Sequence, residues 1–261
     1  MGGLAWRADF SRLPRMSVAS PSPSLLEAAL AFAFPPVCQL CNENRASAAE
    51  GYVCPDCARR VRFVKEPFCE RCGLPFEGSL TGIFECSNCL GVEFDFISAR
   101  SAVLAKDAVL EAIHHYKYNQ ALWFEPFLAD LLIRAAAQEI NHEEWDAVVP
   151  VPLHSTKRRE REFNQAERLA RRLGKALGIP CKNAWLRRTQ RTRTQTLLTR
   201  AERAANVRNA FRTPHNLNLD EKRIVLIDDV FTTGATTSAC ARALRQAGAA
   251  AVCVWTVARG I

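Results

Sequence analysis

The chain has 261 residues, of which 48% are hydrophobic and 24% charged, a soluble globular composition with room for one ordinary domain and a smaller module. No apolar run approaches the roughly 20 residues that a membrane-spanning helix needs, so no span is expected. The formal charge of +8 is held unevenly, since residues 150–212 carry 17 Lys+Arg against 4 Asp+Glu, whereas residues 1–149 carry 13 against 19. So concentrated a positive field either attracts phosphate-bearing ligands, small ones or a nucleic acid backbone, or is a plain solvated surface.

Residues 1–24 mix Gly, Ser, Pro and Arg without periodicity and read as a disordered extension. The next stretch, LLEAALAFAF at residues 25–34, has the apolarity of a signal-peptide core, but it contains Glu27 and runs into Pro35, Pro36 and a cysteine motif. No small-residue cleavage site follows. A short amphipathic helix and a cytoplasmic protein are expected.

Eight of the eleven cysteines fall in four CxxC pairs: Cys38/Cys41, Cys54/Cys57, Cys69/Cys72 and Cys86/Cys89. A CxxC turn sets two thiolates on one side of a tight knuckle, and two knuckles complete the tetrahedral sulfur shell that Zn²⁺ prefers. The gaps between successive pairs are 12, 11 and 13 residues. Such even gaps favour sequential pairing into two zinc ribbons, with a cross-braced arrangement as the alternative. A disulfide scaffold fits less well, because Cys181, Cys240 and Cys253 are left over, without pairs, as small core residues. All-cysteine ligation leaves no open position for water, so both Zn²⁺ ions are expected to be structural. Each would supply on the order of 10 kcal/mol to a segment with too few apolar residues to fold alone. The short helix and double ribbon together span 25–93, and their partner, DNA or protein, stays open.

Beyond Phe94 apolar strands and helices alternate. Strands are expected at 97–105, 145–153 and 224–227 and in AAVCVWTVA near the C-terminus, with helices starting at Asp107 and covering 122–137, 164–178, 198–208 and the stretch after Gly234. This is an α/β pattern with a parallel sheet flanked by helices, spanning 94–261. In such sheets ligands bind outside the carboxyl ends of the strands. There the apolar run IVLI meets Asp228 and Asp229, adjacent carboxylates that repel and need donors, such as the hydroxyls of a sugar. Then TTGATT, residues 232–237, offers backbone N–H groups, hydroxyls and a permissive glycine where a helix begins, a cradle for phosphate. A ligand with a diol and a phosphate that close together is a ribose 5-phosphate.

This stretch resembles the signature with which type I phosphoribosyltransferases bind 5-phosphoribosyl 1-pyrophosphate (PRPP). The resemblance implies that Asp228 and Asp229 bind the ribose hydroxyls and that Thr232, Thr233, Gly234, Ala235, Thr236 and Thr237 bind the 5-phosphate. Phe231 stands where a smaller aliphatic residue is usual. From about Leu25 the chain is also similar to the ComF/GntX family, which joins zinc ribbons to a type I phosphoribosyltransferase-like domain. The matching pieces are FPPVCQLC, CERCGLPF, IHHYKYN, VPVPL followed by REFNQ, and TRTQTLLTRAERAANVRNAF. Family patterns read Arg-Gly-Phe-Asn-Gln where this chain has Arg161, Glu162, Phe163, Asn164 and Gln165, so a side chain replaces the conformationally free residue.

The resemblance implies further roles. Val151, Pro152 and Leu153, with the basic residues that follow them (Lys157, Arg158, Arg159 and Arg161), would hold pyrophosphate and its Mg²⁺, although any one of these charges is as readily plain surface. Lys117 is either a phosphate contact or a snorkelling lysine. Asn164 and Gln165 either cap a helix or touch ligand. Gln195, Arg203 and Asn206 would shape the acceptor pocket or a flap. The implied activity is displacement of pyrophosphate from PRPP by an unknown acceptor, and the alternative is a non-catalytic PRPP or nucleotide sensor. Association with uptake of external DNA implies single-stranded DNA and a DNA-translocating ATPase as partners, with Arg187, Arg188, Arg191 and Arg193 as DNA contacts. The histidines, His114 among them, read as solvated or satisfied.

Overall fold

The computed structural model describes residues 36–78, 86–140, 144–154, 160, 162–190, 207 and 209–260. The expected extension, the helix at 25–34 and nearly all of the helix at 198–208 lie outside the described residues. From Pro36 onward the described residues form one compact unit. In chain order its elements are helix α1 (Pro55–Arg59), strand β1 (Ser98–Leu104), helices α2 (Asp107–Tyr118) and α3 (Glu125–Glu139), strand β2 (Ala147–Pro150), helix α4 (Gln165–Leu177), the short strands β3 (Arg187–Arg188) and β4 (Phe211–Arg212), strand β5 (Arg223–Phe231), helix α5 (Ala235–Gln246) and strand β6 (Ala251–Arg259). No described helix is long and apolar enough to cross a membrane.

The apolar, β-branched runs form a four-stranded parallel sheet in the order β1-β6-β5-β2. Strands buried on both faces read as unbroken apolar runs, and IVLI and AVCVWTVA do so. Alternate residues turn to opposite faces. Val148, Val225, Ile227 and Trp255 pack under α2, α3 and α4, whereas Val149, Ile224, Leu226 and Val254 pack under α5.

The two cysteine groups divide between these faces. Cys38, Cys54 and Cys57 share the core of α2, α3 and α4, and Cys69, Cys72, Cys86 and Cys89 share that of α5. The chain between them covers the outer edge of β1: the N–H of Val64 donates to the Ala102 carbonyl at 3.0 Å, and the N–H of Leu104 to the Arg62 carbonyl at 2.8 Å. That edge is thereby closed to pairing with another chain.

Helix α4 shows how local sequence sets an element. The Asn164 side-chain oxygen accepts from the Ala166 N–H at 3.2 Å, Gly178 ends the helix with a left-handed φ of 71°, and Leu169, Ala170 and Leu173 bury one face. Asn164 is therefore a cap.

Several elements differ from expectation. Strand β5 runs on through Phe231, because β6 pairs with it as far as Phe231 opposite Arg259. Asp228 and Asp229 thus lie within the strand. Strand β2 is shorter than expected, since Pro150 and Pro152 cannot donate to a ladder. The apolar helix splits into a 3-10 turn, Leu122–Phe124, and α3. Part of the basic loop pairs as the antiparallel ribbon of β3 with β4.

Candidate functional site

The cysteines pair sequentially, Cys38, Cys41, Cys54 and Cys57 in one group and Cys69, Cys72, Cys86 and Cys89 in the other, with the sulfurs of each group within 4.8 Å of one another. Tetrahedral Zn²⁺ with bonds of about 2.3 Å separates its sulfurs by about 3.8 Å. The separations of Cys41 from Cys54 (3.8 Å) and Cys69 from Cys89 (3.7 Å) fit that shell. Without a cation the sulfurs are in conflict. Burial works against ionisation of Cys38, but hydrogen bonds from the Cys54, Cys41 and Leu40 N–H groups draw it down to about 6, while burial and its sulfur neighbours push Cys57 well up. In the second group hydrogen bonds from Asn88 and Cys86 outweigh burial and bring Cys72 to about 7, and burial with neighbouring sulfurs pushes Cys86 to about 11. A divalent cation resolves this conflict by stabilising all four thiolates together. Both groups fit the structural zinc sites of a double ribbon.

A second site opens at the carboxyl end of the sheet, a cavity of about 430 Å³ between the end of β5, residues 232–237 and one face of α2. Because β5 alternates, its two acids diverge. Asp229 turns toward α2, where Lys117 Nζ lies 2.7 Å from its Oδ1. Asp228 turns the other way, toward Cys240 of α5 and Arg188 of β3, and its Oδ1 accepts from the Asp229 N–H at 2.9 Å. Burial and then the Asp229 charge push Asp228 up to about 7, against the lowering pull of Lys117, the Asp229 N–H and Arg188. A site holding two adjacent acids with one lysine is short of donors, and hydroxyl groups or a cation would supply the deficit.

The loop after β5 ends in Gly234, which caps α5 with φ 79°. A Cβ there would lie 2.7 Å from Phe231 Cζ and 2.8 Å from Phe94 Cε1, so both conformation and space call for glycine. The opening turn of α5 aims its N–H groups and the positive end of its dipole at the cavity. Thr237 is buried and its hydroxyl donates to the Gly234 carbonyl at 3.1 Å, so that side chain braces the loop. Phe231 is buried too and packs edge-on against Phe96 at 6.0 Å, next to the second cysteine group. A smaller aliphatic residue would leave that space empty.

The cavity brings together Asp228, Asp229, Thr232, Thr233, Gly234, Ala235, Thr236, Thr237 and Lys117. Val151, Pro152 and Leu153 lie one strand away and do not line it; the Val151 N–H donates to the Ile227 carbonyl at 2.8 Å, and Asn164 Nδ2 donates to the Val151 carbonyl at 3.1 Å. Glu162, in the place of the usual glycine, holds a left-handed φ of 65°. The backbone thus keeps the conformation that glycine would favour. Lys157, Arg158, Arg159, Arg161, Arg191, Arg193, Gln195, Arg203 and Asn206 lie outside the described residues.

Apart from Lys117, sequence reasoning missed the α2 wall of the cavity. Leu110, His114 and Tyr118 form a stripe four residues apart, with Leu110 and Tyr118 exposed and the His114 and Tyr118 rings 4.8 Å apart. Apolar side chains at helical spacing on an otherwise polar face were the available signal. Arg188, expected among the DNA contacts, is instead half-buried with its guanidinium over Phe211, and Arg259, fully buried at the end of β6, was missed altogether.

These features define a class: a double zinc ribbon fused to a parallel α/β domain that carries an acid pair and a threonine loop around a cavity at the carboxyl end of its sheet. A double zinc ribbon domain model matches residues 29–90. The chain is 30% identical over 228 residues to Competence protein F of Haemophilus influenzae, covering 85% of this chain and 96% of that protein. It is 32% identical to DNA utilization protein YhgH of Salmonella typhi (86% and 97% covered) and 26% identical to Competence protein ComFC of Bacillus subtilis (76% and 80%). The chain belongs to the ComF family. Among solved structures, glutamine phosphoribosylpyrophosphate amidotransferase from B. subtilis overlaps 49% of this chain and 25% of that one, with a TM-score of 0.33 at 26% identity.

Proposed function

We propose that this chain binds PRPP in the cavity at the end of β5 and transfers its phosphoribosyl group to an acceptor with release of pyrophosphate. One observation carries the reading: Asp228, Asp229 and the opening turn of α5 border a single cavity of about 430 Å³. A diol and a phosphate on one small sugar can therefore meet acids and helix terminus together. Lys117 offsets one of the two carboxylate charges, and sugar hydroxyls donate to what remains. Mg²⁺ bound with the diphosphate would offset charge on the departing pyrophosphate, for which the diphosphate would have to extend out of the cavity toward Val151, Pro152 and Leu153, one strand away. In the transfer the bond from C1 to pyrophosphate breaks as a bond from C1 to the acceptor nucleophile forms, and the nucleophile's proton passes to solvent.

The test is calorimetric titration with PRPP and Mg²⁺, followed by a pyrophosphate-release assay across nucleobases and oligonucleotides. Binding with release in the presence of at least one acceptor is expected. Binding without release across the panel would favour a PRPP sensor, and no binding would overturn both.

The relatives' names place the family in competence and DNA utilization. We accordingly propose a cytoplasmic role with single-stranded DNA and a DNA-translocating ATPase as partners. Arg188 is turned inward over Phe211, whereas Arg187 is exposed, so neutralising Arg187, Arg191 and Arg193 should weaken single-stranded DNA binding and flatten its salt dependence. Unchanged affinity in that variant would remove the basic segment from the proposal.

A further inference from the structure

We infer that Arg259 couples the second cysteine group to the loop that opens α5, so that metal at the first and an anionic sugar at the second stabilise each other. The inference rests on the proposed PRPP site and extends it to regulation.

Arg259 is 2% exposed. Its Nη1 donates to the carbonyls of Phe231 (3.1 Å), Thr232 (2.9 Å) and Gly260, its Nη2 lies 4.0 Å from Cys72 Sγ, and its guanidinium sits 5.0 Å over the Phe231 ring. A buried guanidinium is costly to leave without an opposite charge nearby. Its hydrogen-bond partners among the described residues are carbonyls and this sulfur. Four thiolates on one divalent cation leave a net negative charge beside Arg259, and the loaded site thereby supplies the missing anion. The same guanidinium grips two carbonyls at the start of the phosphate loop and fixes where that loop leaves β5.

Two further contacts join the second ribbon to this loop. Phe94 stacks on Phe96 at 4.7 Å and closes over Gly234. Asp95 accepts from the Ser238 hydroxyl at 2.9 Å and from Arg242 Nη2 at 2.9 Å, and so holds the first turn of α5. Phe94 and Asp95 follow Cys89 closely, so movement of the ribbon reaches the loop at Arg259, Gly234 and Ser238. The first ribbon has no such link among the described residues. Its own arginine contact, Arg60 Nη2 to Cys57 Sγ at 4.0 Å, stays within the ribbon. The molecule thus carries an internal control.

Coupling between two bound species is reciprocal. Zinc transfer from the full, zinc-loaded chain to a chromogenic chelator, followed with and without PRPP and Mg²⁺, should resolve two kinetic phases. PRPP is expected to slow one phase about tenfold and leave the other unchanged. Arg259→Gln should accelerate the affected phase, abolish its response to PRPP and weaken PRPP binding about tenfold, while the isolated protein still holds both metals. A purely structural arginine would not make one zinc, and not the other, sensitive to a sugar phosphate. If Arg259→Gln does not fold, the wild-type phases decide alone. Equal slowing of both phases, or of neither while PRPP binds, overturns the inference. If wild-type protein binds no PRPP, the proposed function fails separately, and hydrogen exchange decides the coupling: faster exchange at residues 231–238 in Arg259→Gln, with 38–57 unchanged, supports it, and unchanged exchange at 231–238 overturns it.

Discussion

The two cysteine groups have the same ligands and near-identical spacing, yet they sit on opposite faces of the sheet and touch different things. The first packs under the helical layer of α2, α3 and α4, and the second packs against α5 and the loop that borders the cavity. Metal chemistry alone therefore does not assign a role to a ribbon; what its outer surface buries against does. The acid pair divides along the same line, with Asp229 toward α2 and Asp228 toward α5. The cavity lies where the two halves meet.

Removing metal should give the largest effect. Each structural zinc contributes on the order of 10 kcal/mol, more than a domain of this kind can lose. Cys72→Ser and Cys38→Ser should each lower the zinc content by one ion per chain by elemental analysis. The first should abolish PRPP binding, while the second should chiefly lower the thermal midpoint through the packing under α2 and α3. Equal loss of ligand binding in both would erase the contrast between the ribbons.

The two acids should respond with opposite signs. Asp228 has a folded pKa of about 7 against an ordinary 3.8. The folded chain then binds more protons than the unfolded chain between those values, and stability falls as pH rises from about 4 to about 7. Asp228→Asn should remove that fall and stabilise the ligand-free protein by about 2 kcal/mol at pH 8, with no gain below pH 4, by urea denaturation. Asp229→Asn leaves Lys117 without its partner and should destabilise by about 2 kcal/mol. Matching signs would show that the pair does not straddle the sheet as described.

Smaller effects probe the loop after β2. Asn164→Ala removes the cap of α4 and the donor to the Val151 carbonyl, and should cost about 1–2 kcal/mol in a denaturation curve. Glu162→Gly relieves a left-handed residue and should stabilise by roughly 0.5 kcal/mol, the strain relieved being partly offset by glycine's greater freedom when unfolded. A loss of stability at Glu162→Gly would mean that the side chain is held by its surroundings.

Much of this was legible in the residues. The even gaps between CxxC pairs foretold sequential pairing, because a metal shell needs four sulfurs from two nearby knuckles. Apolar runs interrupted by helical periodicity foretold the parallel sheet, and an acid pair followed by TTGATT foretold the cavity at its edge. The rest depends on tertiary contacts that leave little local trace. Strands β3 and β4 are two residues each, too short for any alternation to register. The length of β5 follows from β6 beside it rather than from its own residues. An arginine ending an apolar strand looks like a surface charge, and only the packing of the second ribbon shows that Arg259 is enclosed. Leu110 belongs to the apolar repeat of the helix that starts at Asp107 and His114 reads as a solvated histidine, and only β5 placed opposite makes them, with Tyr118, a cavity wall.

The role of the acid pair is tested most directly by a calorimetric titration of PRPP with Mg²⁺ into the zinc-loaded double variant Asp228→Asn/Asp229→Asn. Loss of two charge-assisted hydrogen bonds to the sugar should weaken binding at least about 100-fold relative to wild type. A folded double variant that binds PRPP as tightly as wild type would contradict it.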